Sequence, residues 1–126
     1  RMAGDLTGGC SCGRIRVRLT APPELIAACH CKDCRRHTGA PVSVFVDVKR
    51  ANVEMLGAPI DWYETSPGAQ RGFCGRCGAT LAFHGSSLPQ EMHLHVGAFD
   101  APELLPPARN EDTQSRLPWL HMVVDD

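Results

Sequence analysis

Seven cysteines in a chain of 126 residues constrain this protein more than any other feature of its sequence. They stand at positions 10, 12, 29, 31, 34, 74 and 77. The number is odd and the neighbours are mostly one or two residues apart, which suits a disulfide framework poorly. Closely spaced thiolates suit zinc instead, because a tetrahedral ion takes several sulfurs at about 2.3 Å from one centre. The cysteines therefore predict bound Zn²⁺, most simply two ions per chain.

The most specific local motif is Cys74-Gly75-Arg76-Cys77-Gly78, which has the form of a zinc knuckle. The glycine after the second cysteine lets backbone N–H groups turn toward the sulfurs and disperse their charge. A knuckle supplies two ligands, so two more ligands must come from elsewhere in the chain.

Spacing alone leaves two ways of dividing the cysteines. In the first, Cys10 and Cys12 join the knuckle, and the second ion falls to Cys29, Cys31 and Cys34. In the second, Cys31 and Cys34 join the knuckle as in a zinc ribbon, and three cysteines remain. A Cys₄ site is closed and structural, whereas a Cys₃ site keeps a coordination position open, as catalytic zinc does. Spacing favours the first division without excluding the second.

Twelve glycines and ten prolines predict many turns and short strands in one domain. Alternating or β-branched patterns predict strands over 14–19, 42–48, 53–56, 60–64 and 92–96 and extended segments over 24–28, 70–73 and 80–84. One helical turn is expected over 32–37. Prolines from position 102 onward predict an irregular tail, and Trp62 and Trp119 are expected to anchor the core.

Charge and hydropathy argue against two classes of partner. The formal net charge is −1, and no stretch concentrates Lys and Arg as a nucleic-acid footprint requires. No apolar run approaches the ~18 residues of a membrane span, and residues 1–5 have no apolar signal-peptide core. We therefore expect a cytoplasmic protein that binds neither nucleic acid nor membrane. No pattern indicates an oligomeric state.

Several motifs together carry a resemblance to a known family. They are Gly9-Cys10-Ser11-Cys12-Gly13, Cys29-His30-Cys31-Lys32-Asp33-Cys34-Arg35-Arg36 with Gly39-Ala40, Ser66-Pro67-Gly68 with Arg71, Phe73-Cys74-Gly75-Arg76-Cys77-Gly78, Val96-Gly97-Ala98-Phe99-Asp100-Ala101-Pro102 and Pro118-Trp119-Leu120. Over roughly residues 8–121 the chain resembles the glutathione-dependent formaldehyde-activating (GFA) enzyme family, which also includes centromere protein V.

The resemblance implies the first division of the cysteines. A structural zinc would be held by Cys10, Cys12, Cys74 and Cys77. A second, catalytic zinc with an open position would be held by Cys29, Cys31 and Cys34. Two zinc ions per chain are expected, and the occupancy of the second site is left open. The implied fold is a β-tent, mainly β with small antiparallel sheets joined at the zinc sites and little helix. It would form a single domain over 1–126, with terminal extensions at 1–7 and 122–126.

The activity implied by the resemblance is that of a carbon–sulfur lyase. A carbon–sulfur bond forms or breaks between glutathione and formaldehyde, giving S-(hydroxymethyl)glutathione. Zinc suits this chemistry because coordination deprotonates a thiol that is otherwise mostly protonated at neutral pH. The expected partner is therefore a small-molecule thiol such as glutathione.

Five further side chains are candidates for substrate contacts. Arg35 and Arg36 lie beside the cysteine trio and could meet a substrate carboxylate. Arg71 precedes the knuckle and could donate either to knuckle carbonyls or to an anionic ligand. His93 and His95 share one strand face and are expected to line the substrate cleft, with a third metal position as the less favoured alternative. His30 is expected to point away from the metal and to support the site.

The chain departs from the family pattern at one position, and two other function classes are open to it. Asn110 stands where many family members carry a His, which leaves open both the identity of the thiol substrate and whether this chain is catalytically active. The chain could instead be a non-catalytic, zinc-stabilised binding module. It could also be a thiol redox enzyme, such as a relative of methionine sulfoxide reductases, with a metal-free Cys29 or Cys31 as nucleophile.

Overall fold

The computed structural model describes residues 6–122 and residue 124, and short strands dominate them. These residues contain one α-helix, α1 (Lys32–Thr38), and several single 3₁₀ turns. The strands are β1 (Thr7–Gly9), β2 (Arg16–Leu19), β3 (Leu25–Cys29), β4 (Ser43–Lys49), β5 (Val53–Met55), β6 (Asp61–Ser66), β7 (Ala69–Phe73), β8 (Thr80–Gly85), β9 (Glu91–His95) and β10 (Arg109–Glu111). The prediction of a mainly β chain with little helix is confirmed.

The strands form two sheets. The smaller sheet has the antiparallel order β1-β2-β5, and the larger sheet has the order β10-β3-β4-β9-β8-β7-β6. Every pairing in the larger sheet is antiparallel except that of β10 with β3, which is parallel. The 3₁₀ turns cover Arg50–Asn52, Val96–Ala98, Pro102–Leu104 and Thr113–Ser115. No helix of the described residues is long and apolar enough to cross a membrane.

The larger sheet has one apolar face and one face that carries both polar and aromatic side chains. Val46 and Val48 of β4 and Leu94 of β9 are fully or almost fully buried in the main core, together with residues of the smaller sheet. Side chains alternate along a strand, so Phe45 and Asp47 point to the opposite face. There they are paired in register with His95 and His93 respectively. We call this second surface the polar face; Cys29, Phe83 and Arg71 belong to it by the same register.

Two strands were missed by the sequence patterns, and each has a local reason. The β1 segment contains two glycines, whose missing side chains allow a close approach. A Cβ at Gly8 or Gly9 would overlap the backbone carbonyl oxygen of Ala98 or Ile15. The β10 strand is charged and lacks β-branched residues, and it forms because β3 offers it an edge to pair with.

The expectation that both tryptophans anchor the core is half right. Trp62 packs against the main core from its rim. Trp119 is 65% exposed, so this expectation was wrong for it. The reason is positional: Trp119 follows Pro118 in the irregular segment beyond the last strand and lies outside both sheets. The predicted bounds of the other strands fall within two residues of those observed.

Candidate metal centre and active site

Four cysteines converge at the end where the two sheets meet. Cys10 and Cys12 lie in the turn after β1, and Cys74 and Cys77 lie in the turn between β7 and β8. Their sulfurs all lie within 4.8 Å of one another. The Cys10–Cys12 and Cys12–Cys74 sulfur pairs are 3.6 and 3.8 Å apart. Bonds of about 2.3 Å to a tetrahedral ion set sulfurs roughly 3.8 Å apart, so this quartet fits zinc.

The two turns of the quartet share one backbone design. Each ends in a glycine with a left-handed conformation, φ 81° at Gly13 and 80° at Gly78. In each turn the N–H of that glycine donates to the carbonyl oxygen of the first cysteine of its pair, at 3.2 Å for Cys10 and 2.7 Å for Cys74. A side chain at these angles would be strained, which explains the glycine after each cysteine pair.

Hydrogen bonds to the quartet sulfurs favour their charged form. Ile15 donates its backbone N–H to the Cys10 sulfur at 3.2 Å, and Arg76 donates its Nε–H to the Cys12 sulfur at 3.2 Å. Desolvation raises the pKa of Cys74, but backbone hydrogen bonds from Cys77 and Arg76 and the side chain of Arg14 lower it to about 6 overall. Such contacts stabilise a thiolate and tune the metal that it binds.

A second group of thiols forms where β3 meets the helix. Cys29 ends β3, Cys31 is the N-cap of α1, and Cys34 lies in the first turn of the helix. The Cys34 sulfur lies 3.0 Å from that of Cys31 and 3.5 Å from that of Cys29. We call these three residues the trio. Its sulfurs all lie within 4.8 Å of one another, so the trio also fits a single soft metal ion.

The structure therefore groups the cysteines as four and three, in the first of the two divisions that spacing allowed. Cys31 and Cys34 lie with Cys29 and not with the Cys74–Cys77 knuckle, which is the opposite of a zinc-ribbon arrangement. All seven cysteines lie in the described residues, and all are free thiols. A disulfide framework does not account for them.

A buried arginine and an exposed carboxylate flank the trio. Arg71 of β7, 5% exposed, donates its Nη1–H to the Cys34 sulfur at 3.3 Å. Its guanidinium also lies over the Phe83 ring, 4.5 Å from the centroid. On the other side, Asp112 Oδ2 lies 3.3 Å from the Cys29 sulfur. Asp112 has a left-handed backbone, φ 54°, which is uncommon for a residue other than glycine.

The surroundings of the trio shift the pKa values of its three thiols in opposite directions. Hydrogen bonds from Cys29, Cys31 and Arg71 outweigh burial and lower the pKa of Cys34 to about 6. The hydrogen bond to Cys34, followed by burial, raises the pKa of Cys29 far above its usual range. Burial, followed by Cys34, raises the pKa of Cys31. Without a metal, negative charge is therefore concentrated on the sulfur nearest to Arg71.

The two histidines nearest to Arg71 are held in their neutral form. Burial, with smaller contributions from His37 and Arg71, lowers the pKa of His95 to about 3. Burial and then Arg71 also lower the pKa of His37, whose ring centroid lies 5.9 Å from that of His95. The His95 ring stacks against Phe45, with centroids 4.4 Å apart. An open cleft of about 370 Å³ adjoins this region, lined in part by Ser11, Thr38, Ser43, Thr80 and His95.

The remaining substrate candidates separate into different environments. Arg35 donates through Nη1 to the carbonyl oxygens of His30 at 2.6 Å and Ser115 at 2.7 Å, so that nitrogen is occupied within the fold. Arg36 is exposed and lines a surface groove beside the helix. His93 shares the polar face with His95, as expected, but its ring contacts two carboxylates and no cysteine.

Asn110 and His30 form a buried pair away from the trio. His30 is fully buried, and its Nε2 lies 2.8 Å from Asn110 Oδ1. The Asn110 amide also donates to the carbonyl oxygen of Val124 at 3.1 Å. Asn110 is in register with Ala28, so it points to the sheet face opposite Cys29. The His30 side chain is therefore occupied by Asn110 within the fold, and Asn110 faces His30 and not the trio.

Three features of the site escaped the sequence analysis. The target of Arg71 proved to be the trio sulfur and neither of the two partners expected. Asp112 and the carboxylates around His93 were not considered. Only Asp47 left a signal in the sequence, as a single charge within the apolar strand Ser43-Val44-Phe45-Val46-Asp47-Val48. Nothing in the sequence marks the conformation of Asp112.

Comparisons with known proteins agree on one family. The family model described as glutathione-dependent formaldehyde-activating enzyme matches residues 5–114. A Halomonas elongata protein named for the same enzyme is 31% identical in an alignment 114 positions long, which covers 82% of this chain and 71% of that protein. A Schizosaccharomyces pombe protein named as an uncharacterized lyase is 30% identical over 79 residues, 63% of this chain and 57% of that protein.

A solved structure supports the fold. The crystal structure of a Rhodobacter sphaeroides protein aligns with a TM-score of 0.63 and 21% identity, covering 83% of this chain and 99% of that one. At this identity the likeness concerns the fold alone. The family match over 5–114 and the Halomonas elongata relative show that this chain belongs to the glutathione-dependent formaldehyde-activating (GFA) enzyme family.

Proposed function

We propose that this chain is a zinc-dependent carbon–sulfur lyase that forms or cleaves the S-hydroxymethyl adduct of a glutathione-like thiol and a small aldehyde. The observation that carries the proposal is the convergence of Cys29, Cys31 and Cys34 on one point beside the buried Arg71. Three converging thiols are one fewer than a closed, structural zinc site uses, so an ion held by them would keep one coordination position open. The family match and the names of the relatives supply the substrate class.

The donor set of the trio is the chemical argument for zinc. Thiolates select soft metals, and three of them in one small group exclude the ions that prefer oxygen. A zinc ion held by the trio would keep its sulfurs deprotonated and would offer an open position for polarising a substrate. Three thiolates outweigh a dication by one negative charge, and the Arg71 guanidinium compensates that charge from 3.3 Å.

Adduct formation makes one carbon–sulfur bond, breaks the π bond of the carbonyl group and transfers one proton. The substrate sulfur forms a bond to the aldehyde carbon, the carbonyl π pair moves onto oxygen, and the proton that leaves the thiol ends on that oxygen. Cleavage reverses each change, so the atoms and electrons balance without an oxidant. We assign the proton transfer to Asp112, whose Oδ2 lies 3.3 Å from the Cys29 sulfur. A general base must lie within hydrogen-bond reach of the proton that it moves, and Asp112 stands beside the trio, where the substrate sulfur would be held.

An aromatic wall shields one side of the trio from water. Phe45 is 5% exposed and packs against Cys29 and Cys34, and the centroids of Phe45 and Phe83 lie 6.3 Å apart. Charges interact more strongly where water is excluded. The wall therefore strengthens the effect of Arg71 on the thiolates.

The carboxylates of a glutathione-like substrate need a cationic partner. We favour Arg36 for this role, because Arg36 is exposed while Arg35 donates to two backbone carbonyls.

The experiment is an exchange measurement with ¹³C-formaldehyde and glutathione. The adduct also forms without catalysis, so two-dimensional exchange NMR should show a higher rate between hydrate and adduct when the zinc-loaded protein is present. Cys31→Ser should lose one zinc per chain, remain folded and return the exchange rate to the uncatalysed value. Glu103→Gln, an exposed change outside the site, should leave the zinc content and the rate unchanged. The proposal fails if the fully loaded protein leaves the rate unaltered and binds no thiol saturably.

A dithiol redox enzyme is the second candidate. It is favoured by the separation of 3.0 Å between the Cys31 and Cys34 sulfurs, because a small rearrangement could bring them into a disulfide. That chemistry requires thiols that are free of metal. Turnover of a disulfide or sulfoxide by the zinc-free protein, together with its loss on zinc binding, would support this candidate over the lyase.

A further inference from the structure

Asp47 is a buried carboxylate on the polar face of the larger sheet. It lies in β4, it is 7% exposed, and it is in register with Leu25 on one side and His93 on the other. Its Oδ1 is buried and makes no hydrogen bond. The imidazole Nδ1 of His93 lies 3.5 Å from it, without hydrogen-bond alignment. A buried carboxylate oxygen without a partner is costly, and such groups are usually paired or bound to a metal.

His93 and Glu91 bring two more donors to the same place. The two residues are one side-chain repeat apart on β9 and therefore share the polar face. Glu91 Oε1 lies 3.0 Å from His93 Nε2, so each ring nitrogen faces a carboxylate. One donor atom from each of Asp47, Glu91 and His93 lies within 4.8 Å of the other two. These three residues are referred to as the carboxylate–histidine cluster.

The charge around the cluster is negative. Two more carboxylates, Glu24 and Glu111, and the guanidinium of Arg109 line the same cleft of about 300 Å³. Arg109 donates to Glu111 Oε2 at 2.9 Å, so its charge is matched outside the cluster. The cluster itself contains two carboxylates and one imidazole. A cation at its centre would satisfy the buried Asp47 oxygen and reduce the repulsion between the carboxylates.

We propose that Asp47, Glu91 and His93 bind one divalent cation through two carboxylate oxygens and one imidazole nitrogen. Mixed oxygen and nitrogen donors suit Zn²⁺ and Mn²⁺ and differ from the all-sulfur groups elsewhere in the chain. The ion takes one ring nitrogen and replaces one of the two carboxylate contacts of His93. The open cleft supplies water for the remaining coordination positions.

The cluster is separate from the trio, so this inference does not depend on the proposed lyase activity. Cys29 is in register with Ser43, and Asp47 stands four residues further along the same strand. Four residues of a strand span about 13 Å. No cysteine belongs to the cluster, and the polar face thus carries a sulfur site and an oxygen–nitrogen site at its two ends.

The test is a titration with Mn²⁺ of protein that holds two zinc ions per chain, one for each cysteine group, and no excess zinc. Manganese stands lowest in the order of affinities and should leave zinc on the thiolates. Electron paramagnetic resonance should count one saturable Mn²⁺ per chain. The paramagnetic ion should broaden the ring signals of His93 more strongly than those of His30, which lies beyond the Cys29 end of β3. An absence of saturable binding would overturn the proposal.

Two isosteric variants separate this site from adventitious binding. Asp47→Asn and Glu91→Gln each remove one charge and keep the side-chain shape, and each should weaken Mn²⁺ binding about ten-fold or more, since one of three protein ligands is lost. Asp33→Asn removes an exposed carboxylate of α1 outside the cleft and should change nothing. If both variants fold and bind Mn²⁺ as tightly as the parent chain, the ion is bound elsewhere and the proposal is wrong.

Discussion

Arg71 Nη1 lies 3.3 Å from the Cys34 sulfur, and both side chains are buried. The same strand, β7, that carries Arg71 leads two residues later into Phe73 and Cys74. One short strand therefore supplies a positive charge to the trio and a ligand-bearing turn to the quartet. The backbone of β7 therefore links the two cysteine groups. The hydrogen bond from Arg71 to the Cys34 sulfur is the contact between this strand and the candidate active site.

Replacing Arg71 with Met should weaken zinc binding by the trio about ten-fold or more, because a hydrogen bond to a charged group contributes roughly 1.5–3 kcal/mol. The quartet lacks this contact and should keep its zinc. Competition with a chromogenic chelator should show two phases of zinc release, with only the weaker phase accelerated. Arg71→Lys is the matched control, since it retains a charge and should recover part of the lost affinity. Identical release from Arg71→Met and the parent would remove Arg71 from the site.

The two cysteine groups should respond differently to the loss of one ligand. Cys74→Ser removes a ligand from the group that ties together the turns after β1 and β7, and structural zinc contributes roughly 10 kcal/mol or more to folding. We expect this variant to be unfolded by circular dichroism. Cys31→Ser should fold and retain one zinc per chain. An unfolded Cys31→Ser variant beside a folded Cys74→Ser variant would reverse the roles of the two groups.

Asp112→Asn should lower turnover roughly 100-fold, within the usual range for a general acid or base. Asparagine also tolerates the left-handed backbone at this position, so the substitution removes the charge without straining the turn. The zinc content and thermal stability should remain as in the parent. Asp112→Gly keeps the backbone conformation without any carboxylate and should be equally slow. A rate above one half of the parent rate in either variant would exclude Asp112 as the proton carrier.

Acid should destabilise the fold through His95. Its pKa is about 3 in the folded protein, whereas an imidazole in an unfolded chain titrates near 6.5. Between these values the unfolded chain binds a proton that the folded chain excludes. The stability is thus fully present above pH 6.5 and is lost as pH falls toward 3, by up to about 1.4 kcal/mol per pH unit.

His95→Phe is the variant that tests this effect. Its ring can remain against Phe45, and it removes a buried Nε2 that has no hydrogen-bond partner. Urea unfolding at pH 7.5, 6 and 5 should show a gap in stability between variant and parent that widens as the pH falls. Loss of zinc affects both proteins and cancels in the difference. Parallel pH profiles would mean that folding does not lower the pKa of His95.

Zinc should protect the thiols from modification. The native protein should react with few thiol equivalents, and a chelator should expose all seven cysteines. Metal analysis of the same sample should give two zinc ions per chain. Rapid reaction of two or three thiols in protein that holds only one zinc would show that the trio is free of metal, which is the state that a redox enzyme requires.

The pairing of cysteines with their neighbours could be predicted from the sequence because it is local. Two ligands separated by one or two residues must share a turn, and the glycines at 13 and 78 mark the left-handed positions that such turns require. The β-branched strand β4 and the alternating strand β9 were also found. Short charged or glycine-rich strands were not, because their pairing depends on the edge that another strand offers.

Local sequence patterns could not predict which distant segments of the chain meet. Cys12 and Cys74 are 62 positions apart, and only the antiparallel register of the sheets brings their sulfurs to 3.8 Å. The resemblance to a family anticipated this grouping, whereas spacing by itself left it open. Arg71 was noticed as a candidate, but its partner Cys34 is determined by the order of strands between β7 and β3.

Local sequence patterns therefore establish the available chemistry, which is seven closely spaced thiols able to bind soft metals in a mainly β chain. The tertiary structure decided which of these groups meet. It brought Asp112 to Cys29, Arg71 to Cys34 and Asp47 to His93, each across more than thirty positions of chain. The physical reason is that side-chain alternation and local spacing are properties of one strand, while burial and charge pairing arise only when strands from different parts of the chain share one face of a sheet.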